Sequence, residues 1–389
     1  MAPAPSSLSP AGRALALERA VFDTHADSLQ RALDLGDDLG VRGRGQLDLE
    51  RGLEGGLGAL VFVCWVDPEH LQRGPGAAFQ RTLALLRELH RLVRRHPARV
   101  GIAGNAATLR AAHARGAVAA VPGVEGGHSI EEDPRKLEAL FEHGVRVFTL
   151  VWNNHLPWIR SCRDGAGAGV PAGLSAFGRE LVGTMNRLGI LVDLSHAGER
   201  SFYDALEASE RAPIASHSGC RALHDHPRNL TDDQLRALGR RGGVAGIVFC
   251  TAFLDAAARE EEARLRASEA FRAIGGASEA ERFLRESEFL QREATPLSIE
   301  RVAEHVCHAV EVAGIDHVGI GSDFDGIQRV PQGLEDASRY PALADALLGR
   351  GFSLDDVRKV LGGNMRRVFE AATGPGTRAE DAPLAPLDG

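Results

Sequence analysis

Short apolar runs rich in β-branched residues recur along the chain. They alternate with stretches whose apolar residues fall three and four positions apart, which predicts strand then helix, eight times over. The runs are 21–26, 57–66, 117–124, 144–151, 189–195, 212–217, 242–249 and 317–322. The helical stretches include AFQRTLALLRELHRLVRRH, SAFGRELVGTMNRLG, TDDQLRALGRRG, SIERVAEHVCHAVEVAG and SLDDVRKVLGGNMRRVFEAA. Eight strand–helix units predict an α/β fold, a closed (β/α)8 TIM barrel of parallel strands enclosed by helices. Ser298 and Ser353 are placed to N-cap the helices that follow them, and Gly189, Gly242 and Gly314 stand where left-handed residues would end helices.

The same pattern divides the chain into a leader and helix over 1–20, one catalytic domain over 21–372 and a flexible tail over 373–389. Within the domain, 252–296 is far longer than an ordinary strand–helix connection and is charged, Ala-rich and helix-prone. Gly275-Gly276 predicts a break between two helices there. Because this insertion follows the seventh run, it belongs on the face formed by the strand C-terminal ends. Two roles stay open for it: a solvated helical insertion, or a lid or oligomer contact.

With 389 residues and 44% hydrophobic content, the chain is long enough for one large barrel core. The formal charge of −8 is spread over mixed Arg, Glu and Asp without a basic stripe, which argues against a nucleic-acid binder. Five widely spaced cysteines without a CxxC pattern read as reduced thiols of a cytoplasmic protein. The first residues lack a basic and then apolar signal pattern, and no stretch reaches membrane-spanning length, so no membrane anchor is expected.

Candidate chemistry gathers at the ends of the predicted strands. VFDTHAD places His25 and Asp27 on one side of a strand. AAVPGVEGG, GILVDLSH, APIASHSG and HVGIGSDFDG bring Glu125, His196, His217 and Asp323 to the ends of four others. Taken singly, each has a structural alternative as a cap, a salt-bridge partner or a core histidine. Together, imidazoles and carboxylates delivered from several strand ends are what a catalytic divalent-metal site on such a barrel requires, giving the fold its metal-dependent hydrolase character. One carboxylate bridging two cations, with two His on one and His plus Asp on the other, holds ions roughly 3.5 Å apart around a bridging hydroxide.

These motifs also carry a resemblance. DTHAD, GVEGGHSI, GVRVFTL, GILVDLSH, ASHSGCRAL, HPRNLTDDQL, GIGSDFDGI with GLEDASRYPAL, and LGGNMRRVF resemble the membrane (renal) dipeptidase family of zinc peptidases, in family order from Val21 to Phe369. The resemblance implies a distorted (β/α)8 TIM barrel and a zinc dipeptidase with two Zn2+ per chain, acting on small dipeptides and tolerating a D-residue at the carboxyl-terminal position; other divalent ions remain open. It further implies that His25, Asp27 and Glu125 hold one zinc and Glu125, His196 and His217 the other. Arg228, in HPRNL, would pair with the substrate's terminal carboxylate, and Asp323 would shuttle the proton. A homodimer is also implied. Of the two aspartates in SDFDG, Asp325 is the structural one.

One position departs from the family pattern. Many members carry a His after the fourth strand, where this chain has Trp152 in LVWNNHLPW. Two readings stay open for His155, a replacement donor from the loop or an unrelated surface residue, while Trp152 offers an apolar wall with an indole N–H. Substrate preference therefore has an alternative: N-acyl amino acids, β-lactam-like amides or lactones at the same binuclear centre. A non-catalytic binding barrel is a third reading, disfavoured by the complete set of competent side chains.

Overall fold

In the computed structural model, which describes residues 8–374, a sheet of nine parallel strands curls into a nearly closed barrel. The strands are β1 (Val21–Ala26), β2 (Leu57–Trp65), β3 (Val100–Ile102), β4 (Val118–Glu125), β5 (Val147–Thr149), β6 (Leu191–Asp193), β7 (Ile214–Ser218), β8 (Val244–Ile247) and β9 (Val318–Ile320). Pairing runs β1-β2-β4-β5-β6-β7-β8-β9, and β3 adds to β4 outside that ring. All eight expected runs are strands of the ring. The added β3 is only three residues long and contains Gly101, too short to register as a period-two pattern. The expected leader before residue 8 and the tail beyond 374 lie outside the described residues.

The ring closes between its first and last strands. Beyond the ends of β1 and β9, Asp27 N–H donates to the Phe324 carbonyl (2.9 Å), Asp323 N–H donates to the His25 carbonyl (3.0 Å), and Ala26 bridges Phe324. Asp23, fully buried in β1, reinforces the closure by accepting from Ser322 N–H (2.9 Å) and from the Tyr340 hydroxyl (2.5 Å). Inside the barrel the Thr24 hydroxyl lies between the Ser216 and Ile320 carbonyls. The backbones approach so closely there that a Cβ on Gly246 or Gly321 would fall 2.1 or 1.9 Å from the Ser216 oxygen, so only glycine fits. The strands are buried along almost their whole length, as in a parallel sheet covered on both faces.

Helices pack outside this wall, among them 77–95, 176–188, 232–240 and 300–313. Ser353 caps its helix through a reciprocal capping box with Asp356, and Gly189 ends its helix in the left-handed conformation. Gly242 also has a positive φ of 75°.

Four expectations need correction. Ser298 is not the N-cap: Ile299 is, because Ser298 is drawn into a parallel bridge with Gln332. Gly314 has φ 94° but an extended ψ of 153°, so it leads the chain away from its helix toward β9 instead of forming a left-handed cap. The stretch 353–372 is not one continuous helix, for a π turn over Lys359–Gly363 interrupts it. This turn presses Gly362 against β1, where a Cβ would lie 2.3 Å from the Ala20 oxygen. The insertion holds four helices, 251–254, 256–266, 269–272 and 279–293, in place of two; its glycine pair does fall in a break, between the last two. Asp255 and Ser268 each cap the helix that follows them, which splits the first segment.

His305, on helix 300–313, joins that insertion to the barrel. Its Nδ1 accepts from Cys220 N–H and its Nε2 donates to the Leu254 carbonyl, both at 3.0 Å, which requires the neutral Nε2–H tautomer. Burial, aided by Arg301 and only partly opposed by the Leu254 hydrogen bond, lowers its pKa to about 4. Between that value and the ordinary 6.5 the unfolded chain takes up a proton that the folded chain refuses, so this contribution to stability is lost as pH falls through the window. The gap in urea midpoint between wild type and His305→Gln should therefore narrow from pH 7 to pH 4.5. A gap that stays constant across that range would contradict the neutral tautomer.

Candidate metal centre

The strand ends bring five side chains to one buried point. His25 and Glu125 sit at or next to the ends of β1 and β4, Asp27 just beyond β1, His217 within β7, and His196 three residues past β6. Their contacts form two triangles. In the first, His196 Nε2, His217 Nε2 and Glu125 Oε1 are separated by 3.0, 3.0 and 3.4 Å. In the second, His25 Nε2 lies 3.4 Å from Asp27 Oδ2 and 3.7 Å from Glu125 Oε2. Ligand atoms about 2.0–2.1 Å from a tetrahedral divalent ion stand about 3.4 Å apart, so both sets have the span of a coordination shell. Glu125 turns one oxygen to each.

The hydrogen bonds around the imidazoles show why this point suits cations. Asn153 Oδ1 accepts from His196 Nδ1 (3.0 Å), and Ser216 Oγ, which donates to Asp193 Oδ2 (2.6 Å), accepts from His217 Nδ1 (2.8 Å). Both Nδ1 atoms therefore carry the proton, and the two Nε2 lone pairs face each other bare. His25 Nε2, Asp27 Oδ1 and Glu125 Oε1 are likewise buried without a hydrogen-bond partner among the described residues. Orphaned acceptors at the centre of a buried cluster fit divalent cations.

The electrostatics agree. Burial alone would depress the His25 pKa, but the charges of Glu125, Asp27 and Asp323 outweigh it and lift it to about 10. Burial pushes His196 and His217 well below the usual histidine range and raises Glu125 well above the carboxylate range. Asp323 is raised by burial, with the neighbouring Asp27 adding to the effect and His25 opposing it. Three carboxylates thus crowd His25, while the charges of Arg228 and His25 add to the depression of His196 and His217, which keeps those two imidazoles neutral as metal ligation requires.

Asp323 faces the second triangle, with Oδ1 4.0 Å from His25 Nε2. Asp323 (φ 60°) and His196 (φ 66°) adopt left-handed backbone, as does Asp325 (φ 65°), which costs non-glycine residues about 1–3 kcal/mol each. Asp325 is structural as expected: its carboxylate accepts from Ser28, from Arg31 (3.0 Å) and from Gln46 N–H (2.7 Å). Trp152 lines the cleft above the ligands, its ring 5.1 Å from Trp65 and 6.3 Å from His196. Arg228 is buried, donates through Nη2 to the His217 carbonyl (2.9 Å), and lies over the Phe253 ring. His155 is not brought into the cleft; its Nδ1 accepts from Ser161 N–H (3.2 Å), fixing a loop. The helical insertion does reach this face, since Phe253, Glu279, Phe283 and Glu286 line the same cleft of about 430 Å³.

Three residues that orient the ligands were missed: Asn153, Asp193 and Ser216. Asp193 is fully buried and also accepts from Thr149 Oγ1 (2.5 Å), Ser216 N–H (2.8 Å) and Ser195 N–H (3.1 Å). With His25 and His217 it makes a third close cluster, but the Ser216 hydroxyl stands between them, 3.4 Å from His25 Nδ1 and 2.8 Å from His217 Nδ1. Asp193 therefore supports ligands through Ser216. An aspartate inside the apolar run GILVDL was the available signal for it.

The family model for membrane dipeptidase (peptidase family M19) matches residues 11–380. Among solved structures, a probable dipeptidase, PvdM from Pseudomonas aeruginosa, is 26% identical at a TM-score of 0.77, over 93% of this chain and 98% of that one. The metallopeptidase dipeptidase AC is 30% identical at a TM-score of 0.74, over 91% and 98%. A Rhodobacter sphaeroides metallopeptidase, liganded with a phosphinate mimic of L-Ala-D-Ala, is 29% identical at 0.73, over 90% and 99%.

Since Ser216 serves imidazoles of both triangles, Ser216→Ala should lower metal affinity about 10- to 100-fold, the range for losing a partner behind a ligand. Competition with a chelator measures this, and unchanged affinity would remove Ser216 from the support of the centre.

Proposed function

The chain belongs to the membrane dipeptidase family and is a metallo-dipeptidase, and from that premise we propose that it cleaves free L-L and L-D dipeptides with two zinc ions per chain. The observation that carries the reading is the division of Glu125, Oε1 toward His196 and His217 and Oε2 toward His25. His25, Asp27 and Glu125 would hold one ion, and Glu125, His196 and His217 the other. When bound, such ions polarise the scissile carbonyl and make water acidic enough to ionise at neutral pH.

The chain's own groups do the rest. Asp323, with its raised pKa, is poised to accept a proton from the attacking water and return it to the leaving amine nitrogen. Arg228 spends one N–H on the His217 carbonyl and keeps the remainder of its planar fork for the substrate's terminal carboxylate. Together these two groups orient the substrate and move the proton. The phosphinate of L-Ala-D-Ala bound to the Rhodobacter sphaeroides relative supports acceptance of a D-residue. Five free thiols support a cytoplasmic setting.

Trp152 favours a second reading, in which the same centre acts on N-acyl amino acids, β-lactam-like amides or lactones, because an indole beside His196 changes the wall that a substrate meets. Turnover of L-L and L-D dipeptides set against those compounds separates the two; a preference for the latter would replace the dipeptide reading.

Two variants test the assigned roles. Asp323→Asn should retain bound metal while turnover falls by about 10²- to 10⁴-fold, the usual effect of losing a positioned acid–base group; metal analysis beside kcat reads both, and undiminished kcat removes Asp323 from proton transfer. Arg228→Ala should raise KM for free dipeptides far more than for dipeptides with an amidated carboxyl terminus. Equal increases would show that the guanidinium does not meet that carboxylate.

A further inference from the structure

A second cavity, of about 490 Å³, shares His196 with the cleft and carries four arginines on its wall: Arg160, Arg163, Arg221 and Arg228. The three acids on the same wall, Asp164, Glu199 and Asp225, are all exposed, and only Asp225 comes near a guanidinium, 3.9 Å from Arg221. Arg228 is 5% exposed.

The donors of these arginines are largely unused. A guanidinium offers five N–H groups. Arg228 spends one on the His217 carbonyl (2.9 Å), Arg221 one on the Pro227 carbonyl (3.1 Å) and Arg160 one on the Val170 carbonyl (3.4 Å). Among the described residues the Nε of all three is buried without a hydrogen-bond partner, and so is the Ser218 hydroxyl on the same wall. Buried cationic donors without acceptors are costly unless an anion completes them. The α-carboxylate of a dipeptide occupies one fork, that of Arg228, which leaves Arg160 lining the cavity without an acidic partner among the described residues and Arg221 with only the exposed Asp225 at 3.9 Å.

We propose that this cavity receives a second carboxylate, so that the preferred substrates are dipeptides whose carboxyl-terminal residue is aspartate or glutamate. Arg228 takes the main-chain carboxylate, Arg160 and Arg221 take the side-chain one, and Arg163 at the rim adds to the attractive field. An amide in the same place presents no charge to the guanidinium groups and offers one acceptor oxygen where a carboxylate offers two. The proposal rests on the dipeptidase reading, which places the leaving residue on the His196 side.

The test is kcat/KM of the metal-loaded enzyme for L-Ala-L-Asp, L-Ala-L-Asn and L-Ala-L-Ala and for the three counterparts with a D carboxyl-terminal residue. Aspartate should exceed asparagine by about tenfold or more, as when a charged group is left unpaired. In Arg221→Met or Arg160→Met this ratio should fall to within about twofold, and Arg221→Lys should recover part of it. Because the ratio is taken within one protein, a general loss of rate does not imitate the effect. Free aspartate should also inhibit wild type more strongly than free asparagine, a measurement that needs no variant. Equal rates for aspartate and asparagine would overturn the proposal while cleavage of Ala-Ala leaves the dipeptidase reading standing, whereas no cleavage of any dipeptide would sink that reading itself. Inhibition by inorganic phosphate without an aspartate preference would mark the cavity as a site for a free anion and likewise overturn the proposal.

Discussion

The structure depends on holding like charges together in a dry place. Asp27, Glu125 and Asp323 surround the Nε2 of His25 while two further imidazoles turn bare lone pairs to the same point. In water these groups would separate or take up protons. Here the barrel prevents the first, and the shifted proton affinities of His25, Glu125 and Asp323 show the tension that results. A ring of parallel strands can sustain it because the ligands come from the ends of four strands, β1, β4, β6 and β7, each paired with its neighbours in the ring.

Barrel closure and site assembly are one event. The backbone bonds that join β1 to the segment after β9 involve His25, Asp27 and Asp323 themselves, so the residues completing the ring are also those bearing the chemistry. Asp23 adds its buried carboxylate to this seam through Ser322 and Tyr340. Its own pKa is raised by burial, which those hydrogen bonds only partly offset. The insertion is tied to the same region: Arg44 pairs with Glu281 and Glu288 on helix 279–293, and Gln328 reaches Glu286. These contacts hold the helices that line the cleft against the loops beneath them.

Much of this was legible in the sequence, for a physical reason. Strands buried on both faces must be apolar, so His25, Glu125, His196, His217 and Asp323 stand out where such runs end. The parts that escaped lack that contrast. Ser216 adjoins a ligand but is small and common, Asn153 lies in an irregular loop, and Asp193 carried no metal-ligand spacing, so none advertised the bonds that orient the imidazoles. His155 drew notice as the nearest histidine to Trp152, yet its loop turns it toward Ser161, a direction that chain spacing does not encode. The four-helix insertion and the π turn over Lys359–Gly363 follow from caps and a close backbone approach to β1, tertiary facts that helix propensity cannot express.

One hydroxyl, that of Ser216, stands behind an imidazole from each ligand triangle and leans on Asp193. The two triangles therefore lack independent scaffolds. A substitution that repositioned His217 would disturb His25 through the same oxygen, so a change to one triangle carries over to the other.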